Sequence, residues 1–173
     1  MKRLFQIIFI LGTIRSFGQT KEVILKGDSL FVRDENIATN PFNFGRDPLN
    51  HLSTKIKFTE PKIEIITVAN RHVDNDVDTT YAITFGQDSF NLYEWDKEEN
   101  ALLSSQVKTD RFATRHGIKV GMTKTQIKNI LKSYEIGAIP KYLILENTEI
   151  IEYLKLEFNE DILKGIEFQG YFD

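Results

Sequence analysis

Two segments near the carboxyl end, 154–158 and 162–168, alternate apolar with polar residues, and they constrain the fold more than any other feature. Alternation with a period of two is typical of strands that bury one face only. Between the segments, Asn159-Glu160-Asp161 has the composition of a tight turn, which predicts an antiparallel hairpin. A third segment, Tyr142 to Leu145, is predicted to join this hairpin as another strand.

A short helix is predicted upstream of these strands, from Met122 to about Tyr134. Thr123 and Gln126 have the spacing of a capping box, in which each side chain bonds the backbone N–H of the other residue. Apolar residues then recur at intervals of three and four, at Ile127, Ile130, Leu131 and Tyr134. This apolar face needs a sheet to cover it. The pattern therefore predicts an α+β fold, with a helix packed on an antiparallel sheet.

The run from Gly117 to Leu131, GIKVGMTKTQIKNIL, precedes a hairpin that ends in Lys164-Gly165-Ile166-Glu167-Phe168. This region, about residues 117–168, resembles the SmpA/OmlA-like small envelope proteins and the β-lactamase-inhibitory-protein (BLIP-like) fold that they share. The resemblance implies that the sheet is curved and that the protein is an envelope assembly factor or a protein inhibitor, not an enzyme. The chain departs from the family at 131–134, where Leu-Lys-Ser-Tyr replaces Leu-Gly-x-Pro.

A second helix start is predicted at Asp47-Pro48, with Asp47 as the cap and Pro48 at the first helical position. A predicted hairpin at 81–95 follows it, much as the hairpin at 153–168 follows the first helix. The chain thus offers two tandem helix-plus-hairpin units, at about 40–100 and 115–173. The apolar positions of the two helices do not align, so a true repeat and a chance likeness both stay open.

The first residues predict export. Lys2 and Arg3 precede an apolar stretch from Leu4 to Ile14, and Ser16-Phe17-Gly18 offers the small residues that a signal peptidase reads. This stretch is shorter than the ~20 residues that a spanning helix requires. We predict a signal peptide at 1–18, cleavage near Gly18/Gln19, and a single mature domain at 19–173 in the periplasm or outside the cell.

The composition of the chain limits the classes of partner that it is expected to bind. Residues 1–18 contain three of the 22 basic residues and none of the 25 acidic ones, so cleavage changes the formal charge from −3 to −6. An acidic chain is not expected to bind nucleic acid or anionic lipid, because both recruit basic patches. The chain has no cysteine, and therefore no thiolate metal site, redox pair or site for a lipid anchor. We predict no cofactor and no membrane span.

Few residues of the chain are candidates for metal binding or catalysis. Asp74, Asp76 and Asp78 alternate as at the start of a calcium loop, but Thr79 and Phe85 stand where an EF-hand has Gly and Glu. These three aspartates are candidate metal ligands, and a solvated loop is the alternative. The histidines, His51, His72 and His116, lack the mutual spacing of a metal site, and no catalytic residue is predicted.

Two groups of side chains are candidates for partner binding. Tyr93 and Trp95 lie on a predicted strand and face opposite to Phe90 and Leu92, so they are exposed if the other face is core. Tyrosine and tryptophan are enriched at interface hot spots, which makes this pair the leading prediction. Packing of both strand faces in the core is the alternative.

The second group is a stripe of lysines along one side of the predicted helix. Lys124, Lys128 and Lys132 recur every four residues and therefore lie away from the apolar face. A stripe of this kind either contacts a partner or is merely solvated.

These patterns predict an exported, non-catalytic protein-interaction module of the cell envelope. It would be an assembly factor, accessory subunit or inhibitor that binds another envelope or secreted protein through a sheet face. A periplasmic domain that binds a small ligand or cation is the alternative, followed by a hydrolase with a dispersed site. A broad, shallow sheet face would favour the first, whereas a deep pocket with converging polar groups would favour the others.

Overall fold

The computed structural model describes residues 21–55, 60–70, 73, 76–96 and 99–170, and nine strands in these ranges form one sheet. The strands are β1 (Glu22–Lys26), β2 (Ser29–Arg33), β3 (Lys62–Ala69), β4 (Val77–Phe85), β5 (Asp88–Asp96), β6 (Glu99–Val107), β7 (Tyr142–Glu146), β8 (Tyr153–Asn159) and β9 (Ile162–Gln169). The helices are α1 (Pro48–Asn50), which continues into a π-helical turn (His51–Lys55), and α2 (Lys124–Ile130), which precedes a 3₁₀ turn (Lys132–Tyr134).

The predicted α+β class is wrong, because the chain is mostly β. The capping signals are real, but they start helices of only three and seven residues. After α2 the backbone tightens into the 3₁₀ turn and then reverses at Glu135, whose φ of 50° is left-handed. Elements this short cover only part of the sheet. Loops cover the rest of the apolar face, with side chains such as Phe42, Phe44 and Phe112.

The strand order is β1-β2-β7-β8-β9-β6-β5-β4-β3. Strands β3 to β6 form one antiparallel meander, and β7 to β9 form another. The two meanders join where β6 pairs with β9, from Ser104↔Gln169 to Val107↔Ile166. The β1–β2 hairpin attaches at the far side of β7, and this β2–β7 pairing is parallel. The sheet is therefore mixed, not antiparallel throughout.

Several local predictions are confirmed. The hairpin at the carboxyl end is β8–β9, with Asn159 opposite Ile162, and the predicted third strand is β7 beside β8. Thr123 and Gln126 form both bonds of the capping box. Asp47 caps α1 with Pro48 next in the chain. The tandem repeat stays a prediction, since α1 precedes four strands and α2 precedes three, and residues 1–18 lie outside the described ranges.

Strand β6 has no counterpart in the sequence-based prediction. A bulge opposite Asn91 and Leu92 shifts its register, so Leu102 faces Leu92 while Ser104 faces Asn91. Leu102 and Leu103 are consecutive in the sequence, so this segment lacks the alternation that predicts a strand. β6 is nevertheless the strand that connects the two meanders.

The hydrophobic core lies on one face of the sheet, between the strands and a cover made of α2 and the loops. Ile127 and Leu131 contribute from the helix. Five phenylalanines pack at ring-centroid distances of 4.7 to 6.3 Å, mostly edge to face, as aromatic pairs prefer. They are Phe42, Phe44, Phe85, Phe90 and Phe112.

A buried carboxylate fixes the turn between β4 and β5. Asp88 is 0% exposed and accepts hydrogen bonds from the backbone N–H groups of Lys108 (2.7 Å) and Thr109 (3.0 Å) and from the Thr109 hydroxyl. Arg111 Nη2 lies 3.3 Å from its Oδ2 and also donates to the Phe85 carbonyl at 2.7 Å. A buried charge is tolerated when it is paired and hydrogen-bonded in this way. Asp88 is thus a structural group that ties this turn to the end of β6.

Candidate interaction surfaces

The second face of the sheet, which we call the open face, has accessible side chains within the described ranges. Outward-facing residues such as Phe31, Tyr142, Ile144 and Tyr153 are only half-buried, whereas their neighbours on the core face are buried. The strands of the β3–β6 meander present a mixture of side chains here. A groove of about 450 Å³ is lined by Ile66, Ala82 and Leu103 together with Thr80, Asn91 and Ser104. The strands β2, β7 and β8 present aromatic and aliphatic side chains. The open face therefore has one half of mixed polarity and one half rich in aromatic side chains.

Strand register gathers the apolar residues into one shallow groove. Because β2 and β7 run parallel, Phe31 lies beside Ile144, and antiparallel β8 places Lys155 beside Ile144 on the other side. The groove has a volume of about 460 Å³. Its lining, which we call the aromatic groove, consists of Ser29, Phe31, Tyr142, Ile144, Glu146, Tyr153 and Lys155.

Ion pairs surround the aromatic groove. Arg33 Nε donates to Glu146 Oε2 at 2.7 Å, and Arg33 Nη1 donates to Glu22 Oε2 at 3.3 Å. On the opposite side, Lys155 Nζ donates to Glu167 Oε2 at 3.1 Å. Lys155 Nζ also lies 5.3 Å from the centre of the Tyr142 ring, within cation–π range. An apolar centre with a charged rim is the usual anatomy of a protein interface.

Hydrogen bonds, burial and neighbouring charges raise the pKa values of three groups at the aromatic groove. The bond to Glu146, and then the bond to Glu22, raise the pKa of the Arg33 guanidinium. The bond to Glu167 raises the pKa of Lys155. Burial, and then the negative charge of Glu167, raise the pKa of the Tyr153 hydroxyl. The ordinary pKa of each residue type already lies well above 7, and the shifts move it further from 7. At neutral pH Arg33 and Lys155 are therefore positively charged and Tyr153 is neutral.

Tyr93 lies on the open face but outside the aromatic groove. It is half-buried, and its neighbours Phe90 and Leu92 point into the core, as the alternation predicts. Its hydroxyl donates to Asp78 Oδ1 at 2.7 Å, and this bond raises the pKa of Tyr93. Strands β6 and β9 separate β5 from β8, a distance of about 14 Å at ~4.8 Å per strand. The side chain of Trp95 lies outside the part of the chain that the structure describes.

The lysine stripe belongs to the covered face. Helix α2 buries Ile127 in the core, and Lys124 Nζ lies 5.4 Å from the ring centre of Phe158. Lys132 lies beyond the end of α2, in the 3₁₀ turn, so Lys124, Lys128 and Lys132 do not share one continuous helix. The structure does not bring these lysines to the open face.

The acidic segment is only partly described. Asp74 lies outside the described residues. Asp78 accepts hydrogen bonds from Asn70 Nδ2 (2.8 Å) and from Tyr93, and Asp76 Oδ1 accepts from the N–H of Val77 at 2.9 Å. Across the described ranges, three or more His, Asp or Glu side chains do not gather into a possible metal site.

Polar side chains from several loops and from the 3₁₀ turn surround Arg115, and we call them the polar loop cluster. Asp34 is buried, and its charge contributes, after burial, to the raised pKa of Tyr134. Arg115 Nε donates to His116 Nε2 at 3.2 Å, and burial and then the charge of Arg115 lower the pKa of His116. Burial raises the pKa of Glu152, although a hydrogen bond to Thr39 and the charge of Arg115 oppose the shift.

Perturbed pKa values mark a possible reactive site only where the groups converge on a cleft. The groove next to Glu152, about 280 Å³, is lined by residues 146–153, and so not by Asp34 or His116. The groove beside Glu152 therefore does not bring Asp34, His116 and Glu152 together. The polar loop cluster therefore does not favour the hydrolase alternative, which requires ionisable groups that converge on one cleft.

The residues of the aromatic groove were not among the sequence-based candidates. A signal for them exists in two uninterrupted apolar runs, Leu30-Phe31-Val32 and Leu143-Ile144-Leu145. In a strand whose first and third residues are buried, the middle residue points to the opposite face. The runs therefore indicate apolar side chains on both faces. They do not indicate that β2 and β7 lie side by side.

Comparison with protein-family models, with curated proteins and with solved structures gives no match for this chain. The resemblance to SmpA/OmlA-like proteins and the BLIP-like fold therefore stays a prediction. Within the described ranges, the helices are too short and too polar to cross a membrane.

Proposed function

We propose that the protein is an exported, non-catalytic interaction module of the cell envelope, and that it binds another protein on the open face of its sheet. The aromatic groove is the anchor of this surface. One observation carries the proposal: Phe31, Tyr142, Ile144 and Tyr153 form a half-buried apolar centre, and ion pairs of Arg33 and Lys155 flank it. Aromatic anchors surrounded by a polar rim are where binding energy concentrates in protein interfaces.

The shape of the surface supports a protein ligand over a small molecule. Small-ligand sites are concave and bury most of the ligand, whereas the aromatic groove is shallow and lies on an open sheet. Its half-buried side chains offer area for a partner that covers several strands at once. The sequence at the amino terminus supports export, since residues 1–18 have the pattern of a signal peptide.

Ile144→Lys tests the anchor. The substitution places a charge beside Lys155 in the apolar centre, so we expect capture of the partner from an envelope extract of the source organism to weaken at least ~10-fold, which is the scale of one interface hot spot. The matched control is Ile151→Lys, an equal change at a loop residue that is 71% exposed. Circular dichroism checks that both variants fold. A photo-crosslinking residue at position 144 should label the same partner, and one at 151 should not.

The same assay separates the alternatives. Tyr93→Ala and Trp95→Ala test whether the sequence-based pair contributes to the interface. If all variants capture the same proteins as the wild type, the aromatic groove is not a binding surface. Two results together would replace the proposal with the ligand-binding alternative. The first is that the Ile144→Lys variant captures the partner as well as the wild type does. The second is that calcium or one of a panel of small metabolites raises the melting temperature of the protein.

A further inference from the structure

Strand β3 forms one end of the sheet, and its side chains are exposed on both faces. β4 pairs with its inner edge over all eight residues, from Lys62↔Thr84 to Ala69↔Val77. Each residue of β3 is exposed. The four large apolar side chains, Ile63, Ile65, Ile66 and Val68, are 40 to 63% exposed.

The outer edge of β3 carries a row of backbone N–H and C=O groups that pair with no strand in the described ranges. Natural proteins blunt such edges with short strands, bulges, prolines or inward-pointing charges. β3 pairs with β4 without a bulge, and its central run Ile65-Ile66-Thr67-Val68 has neither proline nor charge. The chemistry of this edge therefore fits an extended strand that supplies both hydrogen bonds and apolar side chains.

We propose that β3 pairs with β3 of a second copy of this chain, antiparallel, so that the two sheets become continuous. A dimer of this kind has a two-fold axis perpendicular to the sheet, and such an axis requires one residue to face its own symmetry mate. With Ile66 on the axis, Ile65 faces Thr67 and Ile63 faces Ala69 of the second copy. In this register every residue of β3 has a partner, and the pairing ends with Lys62 opposite Asn70 of the second copy.

Charge complementarity selects this register. Asn70 sits between two acidic residues of its own copy: its Nδ2 donates to Asp78 Oδ1 at 2.8 Å, and its N–H donates to the Asp76 carbonyl at 2.9 Å. Lys62 of the second copy, opposite Asn70, can therefore reach the carboxylates of Asp76 and Asp78. Two-fold symmetry makes this contact twice, once at each end.

The next symmetric register, with Ile65 on the axis, is worse. It places Glu64 opposite Ile66, so that the two copies of Glu64 become diagonal neighbours and repel each other. It also moves Lys62 opposite Val68, away from Asn70. In the register centred on Ile66, Glu64 faces Val68 and the two copies of Glu64 lie far apart.

Self-association through β3 is independent of the proposed function. β3 and β7 are six strands apart in the sheet, about 29 Å at ~4.8 Å per strand. The aromatic groove therefore stays open in the dimer. Loss of dimerisation and loss of partner capture are separate results.

Sedimentation velocity of the purified protein tests the proposal, over a concentration range from about 1 µM to about 1 mM, where weak dimers become populated. We expect a reversible monomer–dimer equilibrium that tightens at low salt, because the end contacts are exposed ion pairs. Ile66→Lys places two like charges opposite each other on the axis and should raise the dissociation constant at least ~10-fold. Ile151→Lys, the matched control, should leave it unchanged.

Charge reversal gives a second test that does not change the apolar strand. Lys62→Glu and Asp76→Lys, both at exposed positions, should each weaken the dimer, and the double variant should restore it, because the pair is re-formed with opposite polarity. A protein that stays monomeric at the highest concentration overturns the proposal. So does a dimer that is insensitive to Ile66→Lys, or a double variant that dimerises no better than the single ones.

Discussion

Glu152 shows what one partly buried carboxyl does to this fold. Its Oε2 is buried, and no hydrogen-bond partner for it lies among the described residues. Burial raises the pKa of Glu152 above its ordinary value of 4.5. The folded protein therefore holds the proton of Glu152 more tightly than the unfolded chain does. The contribution of protonated Glu152 to the free energy of unfolding is therefore fully present below the ordinary pKa. It is lost as the pH rises through the raised pKa of the folded state.

We expect Glu152→Gln to raise the melting temperature at pH 7, because the neutral amide removes the free energy of ionising a buried carboxyl. At pH 3, where the carboxyl is protonated in both states, the difference should disappear. Thermal melting at the two pH values measures both. The control is Glu149→Gln at an exposed position in the same loop, which should change neither melting temperature. A lower melting temperature for Glu152→Gln at pH 7 would contradict the prediction.

Single residues were predictable from the sequence where a local pattern fixes their direction. Tyr93 points away from Phe90 because neighbouring strand residues alternate between faces. The environment of Glu152 was not predictable, since its neighbours Thr39 and Arg115 come from loops far away in the chain. The aromatic groove was not predictable either, because Phe31 and Ile144 meet only through the pairing of two strands that are distant in the sequence.

At the scale of elements, the capping box decides where α2 begins. Gln126 N donates to Thr123 Oγ1 at 3.2 Å, and Thr123 N donates to Gln126 Oε1 at 2.9 Å. A helix of seven residues has little stability of its own, so these bonds and the burial of Ile127 must hold it in place.

Thr123→Ala should therefore lower the free energy of unfolding by about 1 kcal/mol, the usual loss for a threonine cap. Urea denaturation measures the change, and the m-value should stay constant because the exposed area does not change. Thr125→Ala is the matched control. Thr125 is exposed within the helix, and alanine there favours the helix slightly. Equal stability of the two variants would show that the cap does not determine the helix start.

Elements were predictable where their signals are short-range. The caps at Thr123 and Asp47 and the β8–β9 turn each depend on residues within a few positions, and they form as predicted. The length of α2 was not predictable, since Leu131 and Tyr134 continue the apolar spacing past the point where the α-helix ends. β6 was missed for the related reason that its bulge breaks the alternation.

At the scale of the whole molecule, one core spans both meanders. Ile83 in β4 and Leu154 in β8 are both fully buried in the same hydrophobic cluster. The continuous sheet couples them through β6 and β9. Strand order of this kind is set by long-range pairing, which is why patterns within separate segments predict the wrong fold class.

We expect Ile83→Ala and Leu154→Ala each to lower the free energy of unfolding by ~2–5 kcal/mol, the range for a truncated core side chain. Each should also weaken hydrogen-exchange protection in the other meander, because the two unfold as one unit. The exposed Ile151→Ala serves as the control and should change stability by no more than about 0.5 kcal/mol. Protection that falls only in the altered meander would show two independent folding units.

The parallel pairing of β2 with β7 has a consequence for the order of events during synthesis. Arg33 and Glu146, which form an ion pair across these strands, are 113 positions apart in the chain. At ribosomal rates of ~5–20 residues per second, β7 follows β2 by roughly 6–23 s. A two-stranded hairpin is marginal alone in water. The β1–β2 hairpin thus waits for β7 before it can join the sheet, and this end of the sheet is completed after the β3–β6 meander.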